Sequence, residues 1–136
     1  MALSGDRNTK SRAGDLFNYP VLTGVTIYAG ALVVLDADGY AKPGLTATGL
    51  ITVGRAEGRV VNTGASGSVT VQVQRGVYLY ENSAAADEIT RSEVGDTCYI
   101  VNDETVAKTD AVGTRSAAGK VMAVDGDGVW VKLGIF

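Results

Sequence analysis

The chain has 136 residues, 46% of them hydrophobic, with 18 glycines, 2 prolines and a formal charge of −3. That length and apolar content suit one globular domain with its own core and exclude a disordered chain. The acidic balance argues against a nucleic-acid binder, which must neutralise phosphates. Histidine is absent and cysteine occurs once, which removes Ser-His-Asp triads, Cys-His dyads, His-bearing metal sites and any intrachain disulfide.

Residues 1–15 carry Asp6, Arg7, Lys10, Arg12 and Asp15 among Ser, Gly, Asn and Thr. No period of 2 or 3.6 runs through them. They read as an extended N-terminal arm, with a frayed tail as the alternative, and 16–136 as a single β-domain. The arm lacks an apolar h-region, so no signal peptide is expected. No run approaches the ~18 apolar residues of a membrane helix.

From residue 16 short apolar runs alternate with turn residues. Strands are predicted over 16–22, 25–27 and 31–35. Asp36-Ala37-Asp38-Gly39 then reads as a hairpin turn, because Asp-Gly supplies the positive φ that tight turns need. Residues 40–42 return, and Pro43-Gly44 turns again. Further strands are expected over 50–53 and 56–61. The clearest covers 68–74, where Val69, Val71 and Val73 face one way and Ser68, Thr70, Gln72 and Gln74 the other. Its continuation through Val77-Tyr78-Leu79-Tyr80 passes Gly76, which marks a bulge or bend. Residues 82–88 read as loop. Thr90-Arg91-Ser92-Glu93 matches a capping box and predicts one short helical turn. Strands over 97–101 and 105–108 follow, then loop over 113–116. A terminal hairpin closes the chain: 119–124, the turn Asp125-Gly126-Asp127-Gly128, and 129–133. Turn signals every 8–12 residues or so predict an all-β fold, a small barrel or sandwich of short antiparallel strands with at most one short helix.

The chemistry-bearing residues are few. Cys98, in a strand-like run, reads as a small buried apolar residue rather than a nucleophile. Asp125-Gly126-Asp127-Gly128 lacks the distal ligands of an EF-hand and reads as a turn. Gly54-Arg55-Ala56-Glu57-Gly58-Arg59 lacks the Lys-Ser/Thr of a phosphate loop. Arg55, Glu57 and Arg59 alternate and are expected on one strand face, either as a solvated ion-paired face or as a charged contact surface. Arg75, near Tyr78 and Tyr80, predicts a cation–π cluster, structural or interfacial. Trp130 reads as core. Ile135 and Phe136 should pack, on the domain's own core or on another subunit, since leaving such side chains exposed forgoes ~1.5–3 kcal/mol each. The candidate partner or oligomer contacts are therefore Arg7, Lys10, Arg12, Arg55, Glu57, Arg59, Arg75, Tyr78, Tyr80, Ile135 and Phe136. No catalytic, cofactor-binding or metal-binding residue is assigned, and the chain is expected not to be an enzyme. A carboxylate-pair glycosidase is the remaining catalytic option, and a β-barrel carbohydrate- or peptide-binding module the main alternative.

An ordered set of segments carries a resemblance. It comprises Asp6-Arg7-Asn8-Thr9, Tyr28-Ala29-Gly30-Ala31-Leu32-Val33 running on to Leu35-Asp36, Gly39-Tyr40-Ala41, Ala47-Thr48-Gly49-Leu50 and Val53-Gly54-Arg55-Ala56-Glu57. Asn62-Thr63-Gly64, Arg75-Gly76-Val77, Cys98-Tyr99-Ile100-Val101, the run from Gly113 to Gly119 and Gly128-Val129-Trp130-Val131 complete it. Together they resemble the capsid decoration (cement) and head structural proteins of tailed bacteriophages. The resemblance implies a viral structural protein of the virion. It would be made in the host cytoplasm, bind the outer surface of the major capsid protein lattice and stabilise the head. It also implies self-association, a homotrimer first and a homodimer second. Nucleic acid and membrane are not expected partners.

Overall fold

The computed structural model describes residues 2, 4–8 and 14–136. Its strands are β1 (Leu16–Pro20), β2 (Thr26–Ile27), β3 (Leu32–Leu35), β4 (Ala41–Pro43), β5 (Ile51–Ala56), β6 (Val60–Val61), β7 (Thr70–Gln74), β8 (Gly76–Tyr80), β9 (Thr97–Ile100), β10 (Val106–Ala107), β11 (Ala117–Asp125) and β12 (Gly128–Leu133). The described residues contain no α-helix, only two single 3-10 turns, Ala85–Asp87 and Arg91–Glu93. One five-stranded antiparallel sheet runs β1-β7-β5-β3-β4 and a second runs β10-β9-β11-β12-β8, while β2 and β6 form a two-stranded ribbon. The fold is an all-β sandwich rather than a closed barrel, and each sheet uses one contiguous half of the chain.

Most of the buried apolar side chains fall into two clusters. Leu32 and Val34 join Cys98, Ile100, Val121, Val129, Val131 and Leu133 between the two sheets. Val33, one residue out of phase, joins Ile27, Val53, Val71 and Val73 on the far side, beneath the ribbon. Neighbouring side chains of a strand point to opposite faces. A strand buried on both faces must therefore be apolar throughout, and Leu32-Val33-Val34 is. β7 keeps one wet face, and its burial alternates as its sequence does.

Local chemistry sets the turns. After β3, the Asp36 Oδ1 accepts from the Asp38 and Tyr40 backbone N–H groups at 2.9 and 3.0 Å, with Gly39 at φ 83°. Thr90 and Glu93 make the expected capping box at the second 3-10 turn. The other turn, at Ala85–Asp87, falls in a predicted loop. The gap expected after residue 53 is absent, because β5 runs on to Ala56. Gly54 allows this: it takes φ 145°, and a Cβ there would lie 2.5 Å from the Gln74 carbonyl oxygen of β7. Register opposite β3 shifts at the same place, between Val33 and Val34. At Arg75 the chain leaves the first sheet, and β8 starts the second, the bend expected at Gly76. Trp130 is not core. It is half-buried on the outer side of β12 and donates its indole N–H to Asp125 at 3.0 Å.

Candidate functional site

Arg75 stands where the chain crosses between sheets, and it binds the residues that flank the first and last strands. Its backbone N–H donates to the Asp15 carbonyl at 2.9 Å. Its Nε–H donates to the Asp15 carboxylate at 3.1 Å, and an Nη1–H donates to the Ile135 carbonyl at 2.7 Å. The guanidinium lies 4.7 Å from the Phe136 ring centre and 5.9 Å from that of Phe17. Lys132 Nζ adds a second cation 4.3 Å from the Phe136 ring. The approach is close because residue 134 is a glycine at φ 111°, where a Cβ would meet the Arg75 Cβ at 2.5 Å.

Beside this clamp, Arg55 donates to Glu57 at 2.6 Å and reaches Gln74 at 3.5 Å. Its guanidinium lies 4.2 Å from the Tyr78 ring centre. Burial raises the Tyr78 phenol pKa, with the Arg55 charge opposing the shift. The Arg55–Glu57 pair is partly exposed, so its own stabilisation is of order 0–1 kcal/mol. Its effect is to hold a planar cation flat on a ring.

These groups border apolar surface. Phe17, Tyr19, Val53, Arg75 and Ile135 line a pocket of about 230 Å³. Ile135 also lines a neighbouring groove of about 370 Å³ with Leu50, Ile51 and Ala118, along the seam between β5 and β11. Ile51, Ile135 and Phe136 are 55%, 58% and 62% exposed. Cys98, the one thiol, is buried, which pushes its pKa up to about 12 and keeps it a thiol.

The structure brings Arg75, Ile135 and Phe136 together at one point, sets Arg55, Glu57 and Tyr78 beside Gln74, the neighbour of Arg75, and corrects the rest of the expected cluster. Tyr80 is a core residue whose hydroxyl donates to the Gly30 carbonyl at 3.0 Å, so it is no contact residue. Arg75 stacks on Phe17 and Phe136, and Arg55 takes Tyr78 instead. Arg59 does not share a strand face with Arg55, because β5 ends at Ala56; it lies 5.4 Å from the Tyr28 ring instead. Ile135 and Phe136 are not packed in the domain's own core. Arg7 is exposed, and Lys10 and Arg12 lie outside the described residues. Sequence reasoning passed over Asp15, Phe17 and Lys132. Phe17 is placed by its pairing with Val73, two residues before Arg75.

No protein-family model, curated protein or solved structure matches the chain.

Proposed function

We propose that this chain is a structural capsid decoration protein, which docks through the seam around Arg75 on the outer surface of a major capsid protein lattice and stabilises the head. The observation that carries the reading is the convergence at Arg75. Asp15 just precedes β1, Ile135 just follows β12, and one arginine holds both. A staple needs this arrangement, with an arm and an apolar contact starting from one rigid point. The ordered sequence resemblance supports the same reading.

The energetics suit a lattice binder. Ile51, Ile135 and Phe136 are available for burial, and fully burying such side chains contributes ~1.5–3 kcal/mol each. Arg75 and Lys132 lie against Phe136, as in interfaces whose aromatic and arginine anchors dominate binding. The polar arm, with Arg7, Lys10 and Arg12, adds acid-seeking and sheet-edge contacts on a neighbouring subunit. A homotrimer at threefold or quasi-threefold positions multiplies these contacts through effective concentration, with a twofold dimer as the alternative. The test is co-sedimentation of the purified protein with empty expanded capsids. Saturable binding at a fixed ratio to the capsid subunits is expected. Binding lost in the F136A/I135A double variant, with the thermal midpoint unchanged, locates it at the seam. Absence of saturable binding by the wild type overturns the reading.

A further inference from the structure

The edge strands of the two five-stranded sheets are β1, β4, β10 and β8, and they are not protected alike. β1 ends at Pro20, β4 ends at Pro43, and β10 is two residues long. Proline and shortness both blunt an edge. β8, Gly76-Val77-Tyr78-Leu79-Tyr80, has neither, and it contains no charge. Backbone N–H and C=O groups point to alternate sides along a strand. The Tyr80 carbonyl lies against Gly128 of β12, so Tyr80, Tyr78 and Gly76 bond toward β12. Glu81 points the other way: its N–H donates to the Glu104 carbonyl at 2.8 Å, and its carbonyl accepts from Val106 at 3.0 Å. Val77 and Leu79 share that direction. Among the described residues, neither makes a backbone hydrogen bond on that side. At the start of the strand, the Arg75 N–H is taken by the Asp15 carbonyl. An open slot along residues 76–80 thus lies between Asp15 at one end and Glu104 at the other.

The chain itself leads into this slot. β1 runs antiparallel to β7 with Leu16 opposite Gln74, and the Asp15–Arg75 bond carries that register one pair further. The next pair is Gly14 opposite Gly76, at the corner where the chain bends from the first sheet into the second. Two residues without side chains, Gly14 at φ 109°, let both strands bend there together. Past the corner the same register sets Ala13 opposite Val77 and Ser11 opposite Leu79. Residues 10–13 lie outside the described residues, and with Gly14 they match the five-residue length of β8. Charge agrees as well. Glu81 and Glu104 are exposed at the far end of the slot, and the segment contains Lys10 and Arg12. We propose that residues 10–14 add to β8 of their own chain as an antiparallel strand, by the same edge pairing that proteins use to bind extended peptides. Fixed there, the segment becomes the new edge of the second sheet, and the arm before it starts from a set position beside the seam. The inference does not rest on the docking reading, and its failure would leave that reading standing.

Hydrogen exchange and disulfide trapping of the full chain test it. An empty slot leaves the Val77 and Leu79 amides open to solvent, whereas β12 protects those of Tyr78 and Tyr80 in either case. Protection at all four is expected in the wild type. A13P lacks the N–H that would bond to Val77, so it should speed exchange at Val77 and Leu79 by ~10-fold or more and leave Tyr78 and Tyr80 unchanged. Hydrogen-bonded antiparallel pairs lie about 5.5 Å apart at Cα, within disulfide reach. Mild oxidation should therefore close an intrachain disulfide in A13C/V77C and in S11C/L79C, and none in the out-of-register S11C/V77C. Cys98 is buried and stays out of this chemistry. Fast exchange at Val77 and Leu79 in the wild type overturns the proposal. Disulfides between chains would show the slot filled by the arm of another copy and overturn the assignment to the chain's own arm. Protection that survives A13P, with no disulfide in either in-register variant, would mean that another group covers β8 and overturns it too.

Discussion

The two halves of the molecule solve the same burial problem differently. The first sheet, built from residues 16–74, is covered on both faces around β3, by the second sheet on one side and the β2–β6 ribbon on the other. The second sheet, built from 76–133, is covered on its inner face alone. Its outer face shows Val77, Leu79, Lys120 and Met122 to solvent, with Trp130 and Lys132 half-buried. The sequence records the difference. Leu32-Val33-Val34 is continuously apolar, whereas β9 and β12 alternate. The core beneath the ribbon uses buried residues of the first half alone, while the core between the sheets borrows Leu32 and Val34 from it. The second sheet therefore depends on the first more than the first depends on it.

The harshest way to break this arrangement is at the glycines where strands touch backbone to backbone. In the second sheet, a Cβ at Gly119 would lie 2.0 Å from the Lys132 carbonyl oxygen, and no rotamer relieves a clash with backbone. G119A should cost at least ~3 kcal/mol, in the range reserved for severe steric or packing defects. G54A, its counterpart in the first sheet, meets the Gln74 carbonyl oxygen at 2.5 Å and adds an unfavourable φ, so it should be comparably damaging. Urea midpoints of the two variants measure both, and near-wild-type stability in either one would contradict the packing described.

A finer test separates the two cores. L32A removes a fully buried side chain between the sheets and should cost ~2–5 kcal/mol. V33A, the next residue, removes a smaller buried group beneath the ribbon and should cost less, ~1–2 kcal/mol. Hydrogen exchange gives the locality. L32A should speed exchange in β11 and β12, and V33A in β2 and β6. The same exchange pattern in both variants would mean that the cores do not behave separately.

What the sequence makes legible is mostly local. The Asp36 and Asp125 turns, the Thr90–Glu93 capping box and the alternation of β7 each depend on residues a few positions apart, and the structure has them all. What was misread depends on distant partners. Gly54 looked like a strand end because its reason, the Gln74 carbonyl, lies on another strand. Tyr80 looked like a contact residue because its acceptor, Gly30, is 50 residues away. The sequence marks Arg75 only by its neighbouring tyrosines, because its partners Asp15 and Ile135 are each 60 residues distant.

The Tyr80–Gly30 hydrogen bond links the halves and offers a moderate perturbation. Y80F keeps the ring and leaves the Gly30 carbonyl without this donor. A loss of ~1 kcal/mol is expected, read as a lower urea midpoint with an unchanged slope. No loss would mean that the hydroxyl does not bridge the halves.

The smallest expected effect concerns acid, and it too falls unequally on the halves. The carboxyl groups held below their ordinary range, Asp87, Glu93 and Asp125, all belong to the second half. Glu93 is shifted furthest, to about 2 from an ordinary 4.5. The Thr90 hydroxyl is the main cause and the Lys108 ammonium, 3.1 Å away, the next. Because the folded value is depressed, the folded state binds the proton more weakly than the unfolded chain. The stabilisation is therefore fully present above about pH 4.5 and is lost as pH falls toward 2. E93Q removes this titration and weakens the cap, so it should be slightly less stable at neutral pH and less sensitive to acid below pH 4.5. Urea midpoints of wild type and variant across this range should converge as pH falls. Parallel curves would show that Glu93 does not carry the acid sensitivity. Convergence accompanied by faster amide exchange in β9–β11 before β1–β7 would place the acid-labile flank in the second half, where the depressed carboxylates lie.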